Sequence, residues 1–425
     1  MKAQTLADVV RVFDPRSPLE GDRLTDYYVD RPGNPLARIK TYLQGLALAD
    51  QSVKLLFTGH VGSGKSTALN KLAEELKRQF FIVAFDANRS LNIADLSYVD
   101  LLLGIAATLF RRATEADVVA KAPGQIVADV WEDIARFFST VVMGATLAEL
   151  PAPSEWSVKV NAQVFEFQGK FASQASTRDE IRKRVEPRLM ELLDKMDFVA
   201  DQVRINYKRP VLFFVEGTDK PDLKCARELF LEHTNSLTMY RASAIYTFPV
   251  GLRYSAEFNL IKESFNEHFM LPNVKVTNVD ESDNAEGLQL LSDVIARRME
   301  DNLISVDARD RLARASGGLM RTLIRLVQRA AVHALGEGGQ IIAPRNAEAA
   351  ISEEQADFVA ALETKDYAIL QARHNDKRLS SDEDIQRLLQ SRALLEYANG
   401  QPWCDVHPAA LPLVEKWTKS KPATP

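Results

Sequence analysis

The chain has 425 residues, 46% of them hydrophobic, which is material for roughly two to four domains with ordinary cores. Its 53 basic and 58 acidic side chains leave a net charge of −5, too mild for an acidic tail and of the wrong sign for a dedicated polyanion binder. Cys225 and Cys404 have neither zinc-site spacing nor the density of a disulfide scaffold, so a reduced, cytoplasmic setting is expected.

The opening "MKAQTLADVVRVFD" lacks the apolar core of a signal peptide, and no run reaches the roughly eighteen apolar residues of a membrane span, so no membrane attachment is expected. "VKLLFT" (53–58) reads as a buried strand, and the helical spacing of "STALNKLAEELKRQF" follows it after a glycine-rich loop. "FFIVAFDA" (80–87) is a second strand, completing a βαβ unit. About 120 residues then intervene before "VLFFV" (211–215), far more than a crossover needs, so the stretch from about 90 to 209 is an insertion. It holds apolar stretches at 98–110 and 126–144, a break "ELPAPSEW" and an alternating segment "SVKVNAQVFEF". One long helix ends it, with Ile181, Val185, Leu189, Leu192, Met196, Val199 and Val203 in a single stripe. That stripe packs on the sheet or the insertion, or else forms a coiled-coil seam.

"VLFFV", a helical segment, "SAIYTF" (243–248) and "EHFMLPNVKV" continue the α/β alternation. After residue 280 three helices are expected, with "SGG" (316–318) before the last. From 351 the chain reads as helix, helix and a hairpin turning at "NG" (399–400), a pattern that suggests a winged helix. The division is thus 1–280 for a core, 281–350 for a helical lid and 351–425 for a winged-helix-like domain.

"GHVGSGKS", from Gly59 through His60, Val61, Gly62, Ser63, Gly64 and Lys65 to Ser66, fits the phosphate-loop pattern G-x-x-x-x-G-K-[ST] between a strand and a helix. Its glycines let backbone N–H groups converge on phosphate, and the helix N-terminus adds a favourable field. Lys65 would contact the β- and γ-phosphates, Ser66 would ligate Mg²⁺ and Thr67 would lie beside the α-phosphate. In "VLFFVEGTDKPD", Glu216 would reach Mg²⁺ through water and Asp219 would approach the attacking water; alternatively both cap a turn.

The phosphate loop, "VLFFVEGTDK", "SAIYTFPVGL" and "SGGLMRTLIRL", followed by a winged helix, resemble the AAA+ and STAND P-loop ATPases, in particular bacterial ATPases similar to origin-recognition initiators. The resemblance implies an α/β core with a parallel sheet of order 5-1-4-3-2 and nucleotide between core and lid. It also implies Thr247 as a γ-phosphate sensor, the alternative being a strand-end threonine, and Arg321 as a second sensor from the lid. Arg325 and Arg329 continue that face as a solvated basic stripe. Arg253 would be an arginine finger offered to a neighbouring subunit, while Tyr28 and Val29 in "YYVDRPGN" would contact adenine or belong to the core. Many relatives place an aspartate where this chain has Glu216 and a catalytic glutamate where it has Gly217, which implies slow ATP hydrolysis.

By the same resemblance the chain is a switch that assembles as a homo-oligomer and controls a separately encoded effector, as in bacterial anti-phage defence, since no nuclease, protease or NAD-cleaving motif is recognisable. The alternative is a DNA-binding initiator or transposition regulator. Residues 360–425 carry nine basic and nine acidic side chains, and that neutrality disfavours DNA.

Overall fold

A computed structural model describes residues 2–49, 51–116, 125–144 and 175–420. Five parallel strands, β1 (Lys54–Thr58), β2 (Phe81–Asp86), β3 (Val211–Glu216), β4 (Ser243–Phe248) and β5 (Glu267–Met270), form one sheet in the order β2-β3-β4-β1-β5, the order expected. β1, β3 and β4 lie inside the sheet, and their residues are buried almost throughout, as near-continuous apolar runs require. β1 pairs with β4 in the register Lys54↔Ala244 to Thr58↔Phe248, which aligns the carboxyl ends of these strands.

Of the insertion, helix Tyr98–Glu115 is buried along most of its length on the β2 side of the sheet. The expected single helix over 181–203 is two, Ala175–Val185 and Leu189–Tyr207, joined by a 3₁₀ turn at Glu186–Arg188. Pro187 is the reason: it has no N–H for the helical ladder and its ring crowds the preceding turn. The apolar stripe is nonetheless consumed inside the molecule, with Ile181, Val185, Leu192, Met196, Val199 and Val203 in the main core. "ELPAPSEW" and "SVKVNAQVFEF" lie outside the described residues.

The stretch for which a helical lid is expected contains helices Ala285–Ala296, Val306–Ala315 and Met320–Gly336. A fourth helix, Pro344–Ala361, runs straight through residue 350, where the sequence reading placed a boundary. Its Ala347 and Ala350 pack in the lid core while Phe358 packs in the C-terminal one. The N-terminal helix Leu6–Val12 also belongs to the lid core through Leu6, Val9 and the following Phe13.

A C-terminal module follows, made of helices Thr364–Asp376 and Glu383–Ser391, the antiparallel hairpin β6 (Leu394–Asn399) and β7 (Gln401–Val406), and helix Leu411–Ser420. Among the described residues no helix is long and apolar enough to cross a membrane.

Candidate nucleotide site

β1 ends at Thr58, helix Lys65–Leu76 begins after six intervening residues, and the loop between them curls because Gly59, Gly62 and Gly64 all take positive φ. At Gly62 the need is double: φ is 92°, and an added Cβ would stand 3.0 Å from the Arg321 Cβ of the lid helix. The Arg321 N–H donates to the Gly62 carbonyl at 3.0 Å, so lid and loop touch directly.

The Lys65 ammonium uses all three of its donors, on the Gly59 carbonyl (2.6 Å), the His60 carbonyl (3.0 Å) and Asp219 Oδ2 (2.7 Å). Burial pushes the Asp219 carboxyl upward, but the charge and hydrogen bond of Lys65 outweigh it and hold the group below the ordinary carboxylate range. Glu216 moves the other way. Burial raises it, the neighbouring Asp86 and Asp219 add to the rise, and a hydrogen bond from the Ser66 hydroxyl only partly opposes them. Unlike Asp219, Glu216 makes no ion pair among the described residues.

Gly217 follows Glu216 with φ of 84°, and a Cβ there would meet the Asn88 backbone N at 2.7 Å and Asp86 Oδ1 at 3.0 Å. The close approach of the β2 end therefore dictates glycine at the position where a second acid would stand. Thr247, at the end of β4, is buried; its carbonyl accepts from the Thr218 hydroxyl at 2.6 Å, and the two hydroxyls lie 3.1 Å apart.

A cavity of about 1170 Å³ opens over the carboxyl ends of the strands. Its lining brings together Tyr28, Val29, the loop from Val61 to Lys65, Ser66, Thr67, Glu216, Asp219, Thr247 and Arg321. Three expected residues stand apart from it. Gly59 supplies a carbonyl from below, His60 turns toward the C-terminal hairpin, and Arg253 is engaged within the chain. The Arg253 guanidinium donates to Glu396 Oε1 at 2.8 Å and to the Tyr254 hydroxyl at 3.0 Å, so here it is not presented outward as a finger. Thr67 accepts the Leu19 N–H at 3.1 Å, and Asn70 donates to the Leu19 carbonyl at 2.9 Å. These bonds fasten the N-terminal segment along the loop helix as a cavity wall.

Sequence reasoning missed Arg31. Burial lowers its pKa to about 10, its Nη1 is buried without a hydrogen bond, and it forms no ion pair among the described residues. Its Nη2 lies 3.7 Å from where a Gly64 Cβ would stand, so the guanidinium borders the phosphate loop. Arg298, a buried cation of the lining, donates Nη1 to the Val294 carbonyl (2.8 Å) and the Tyr27 carbonyl (3.3 Å). Arg325 and Arg329 are a further correction: rather than a solvated stripe, they line the cavity and bind the buried Glu354 from helix Pro344–Ala361, Arg325 Nε at 2.9 Å and Arg329 Nη1 at 3.2 Å.

No family model matches the chain, and no curated protein sequence matches it. Solved structures do. The Aeropyrum pernix ORC2 protein, in ADPNP–ADP complexes, is similar at 12% identity and a TM-score of 0.48, with 96% of each chain covered. The Walker-type ATPase paby2304 of Pyrococcus abyssi is similar at 12% identity and a TM-score of 0.47, covering 95% of this chain and 99% of that one. Cdc6p from Pyrobaculum aerophilum is similar at 12% identity and a TM-score of 0.42, covering 96% and 97%.

Proposed function

We propose that the chain is an AAA+-like P-loop ATPase that binds ATP with Mg²⁺, hydrolyses it slowly and works as an assembling switch. The observation that carries this reading is the convergence of Lys65, Ser66, Glu216, Asp219, Arg31 and Arg321 on one cavity at the carboxyl ends of a parallel sheet. Loop N–H groups and Lys65 take the phosphates, and Arg321 approaches from the lid. Ser66 and Glu216 would hold the metal. The donor set fits, because Glu216 is a half-buried acid without an ion-pair partner among the described residues, raised by desolvation and by two neighbouring acids and bonded to the Ser66 hydroxyl. When bound, the cation neutralises charge developing on the phosphate oxygens.

Lys65 must leave Asp219 to reach a phosphate. The carboxylate so released is the water-orienting group, with Thr247 close by at the γ-phosphate end. The absence of a second acid at Gly217 makes turnover slow. Tyr28 and Val29 line the same cavity and are assigned to the base, favouring adenine.

The C-terminal module is read as a winged helix that meets a separately encoded effector, with anti-phage defence as the setting. Its neutral charge supports a protein partner over DNA. The test is phosphate release and assembly mass with ATP, ADP and no nucleotide, for wild type, Lys65→Ala and Glu216→Gln. Slow release by wild type alone and nucleotide-dependent mass are expected. Release no faster than in Lys65→Ala defeats the hydrolase reading, and unchanged mass defeats the assembly. A salt-sensitive duplex-DNA shift lost on deleting residues 362–425 would put the initiator-like reading first.

A further inference from the structure

The second residue of the phosphate loop faces away from the cavity. His60 is buried, and its Nε2 accepts the backbone N–H of Glu396, in β6 of the C-terminal hairpin, at 2.7 Å. Accepting that bond requires a neutral ring, and burial, with the nearby Lys65 charge, lowers its pKa to about 3. The His60 carbonyl meanwhile accepts from the Lys65 ammonium at 3.0 Å. On the other side of Lys65, the backbone carbonyl of Asp219 accepts from Gln390 Nε2, in helix Glu383–Ser391, at 2.8 Å. Hairpin and helix of one module thus hold both neighbours of the lysine that has to move.

We infer that His60 and Gln390 couple the phosphate loop to the C-terminal module, so that phosphate binding in the loop and docking of residues 364–420 oppose one another. The inference rests on the nucleotide reading given above. A phosphate entering the loop draws the Lys65 ammonium off the His60 carbonyl and off Asp219, and it requires loop N–H groups to converge on it. The His60 peptide and its ring then shift together, and the Glu396 N–H loses its acceptor in a buried place, which is unfavourable until the hairpin moves. By linkage, whatever loosens the module strengthens nucleotide binding to the same degree. Arg253 on Glu396, the Tyr397 hydroxyl on the Gly317 carbonyl at 3.0 Å, and Arg227 on Gln386 at 3.0 Å are among the further ties that set how firmly the module sits.

The experiment uses the full chain. ATP and inorganic pyrophosphate affinities are measured by calorimetry for wild type, His60→Leu, His60→Gln and Gln390→Ala, and hydrogen exchange at the Glu396 amide is followed with and without ATP. Expected are faster Glu396 exchange with ATP in wild type, and binding about three- to tenfold tighter in His60→Leu and Gln390→Ala. His60→Gln, which keeps an acceptor, stays near wild type. Should His60→Leu fail to fold, Gln390→Ala and the wild-type exchange decide. Unchanged exchange at Glu396, whether affinities are unchanged or weaker in His60→Leu, overturns the coupling and leaves His60 a support for loop shape. Absence of any nucleotide binding by wild type defeats the proposed function as well, so the two failures are distinguishable.

Discussion

Lys54 and Arg31 show how differently two cations can be satisfied by the surrounding chain. Lys54 sits at the start of β1, at the end of the strand remote from the phosphate loop. It donates to the Tyr240 and Ala242 carbonyls at 2.7 Å each and lies 4.2 Å from the centre of the Tyr240 ring. Arg31 has an unmatched Nη1 and no ion-paired acid among the described residues, and it borders the loop. A guanidinium nitrogen buried without an acceptor is unfavourable on its own and becomes favourable beside an anion. Arg31→Met is therefore expected to weaken ATP binding about tenfold, through loss of a charge-assisted contact, while the melting temperature without nucleotide stays level or rises. Calorimetry with parallel melting curves checks this, and an equal loss of fold stability would return Arg31 to a structural role. For Lys54 the signature is a pH slope. Burial lowers its pKa to about 7 from an unfolded value near 10.5, so between those values the unfolded chain binds more protons and stability rises with pH. Below pH 7 the penalty is constant. Comparing melting curves of wild type and Lys54→Met from pH 7 to 10 should show the wild type gaining roughly 2–4 °C relative to the variant; parallel curves would refute the assignment.

At the scale of elements, Gly217 explains the missing acid as geometry. The strand end of β3 lies against the turn that opens helix Ala87–Ser90, leaving no room for a side chain. Gly217→Ala is expected to lose about 1–3 kcal/mol in urea unfolding, from the left-handed backbone and the close contact together. Gly217→Glu should fail to accelerate phosphate release; a faster enzyme would show that the β2 end yields easily. The same contrast accounts for what the sequence made legible. Apolar runs ending at Thr58, Asp86, Glu216 and Phe248 located the strands, because burial on both faces writes itself into consecutive residues. "GHVGSGKS" located the loop, because its conformation demands glycines. "NG" located the hairpin. Pro187 is an equally local signal, masked by the apolar stripe that runs on either side of it. Arg31 beside Gly64, His60 against Glu396 and Arg325 on Glu354 were not legible, since each depends on segments far apart in sequence meeting in space.

Across the whole molecule, the N-terminal segment joins the two walls of the cavity. Ala3 donates its N–H to the Arg298 carbonyl at 2.8 Å, and Leu6, Val9 and Phe13 are buried in the lid core. Gln328 of the lid helix donates to the Val10 carbonyl at 2.7 Å. Leu19 is then fastened to Thr67 and Asn70 of the loop helix, and Tyr28, Val29 and Arg31 complete the lining. One stretch of chain is thus bonded to the lid helices at its start and to helix Lys65–Leu76 further on, so any movement of the one against the other would load it directly. Deleting residues 2–13 removes three large buried side chains, each contributing about 1.5–3 kcal/mol to lid packing. It also frees the start of the segment that carries Arg31. The expected outcome is a lower melting temperature without ligand and a smaller further rise on adding ATP, because stabilisation by a ligand grows with its affinity for the folded state. Melting curves at increasing ATP concentration separate the two effects. If the truncated chain melts lower yet keeps the full ATP-dependent rise, the segment contributes packing alone.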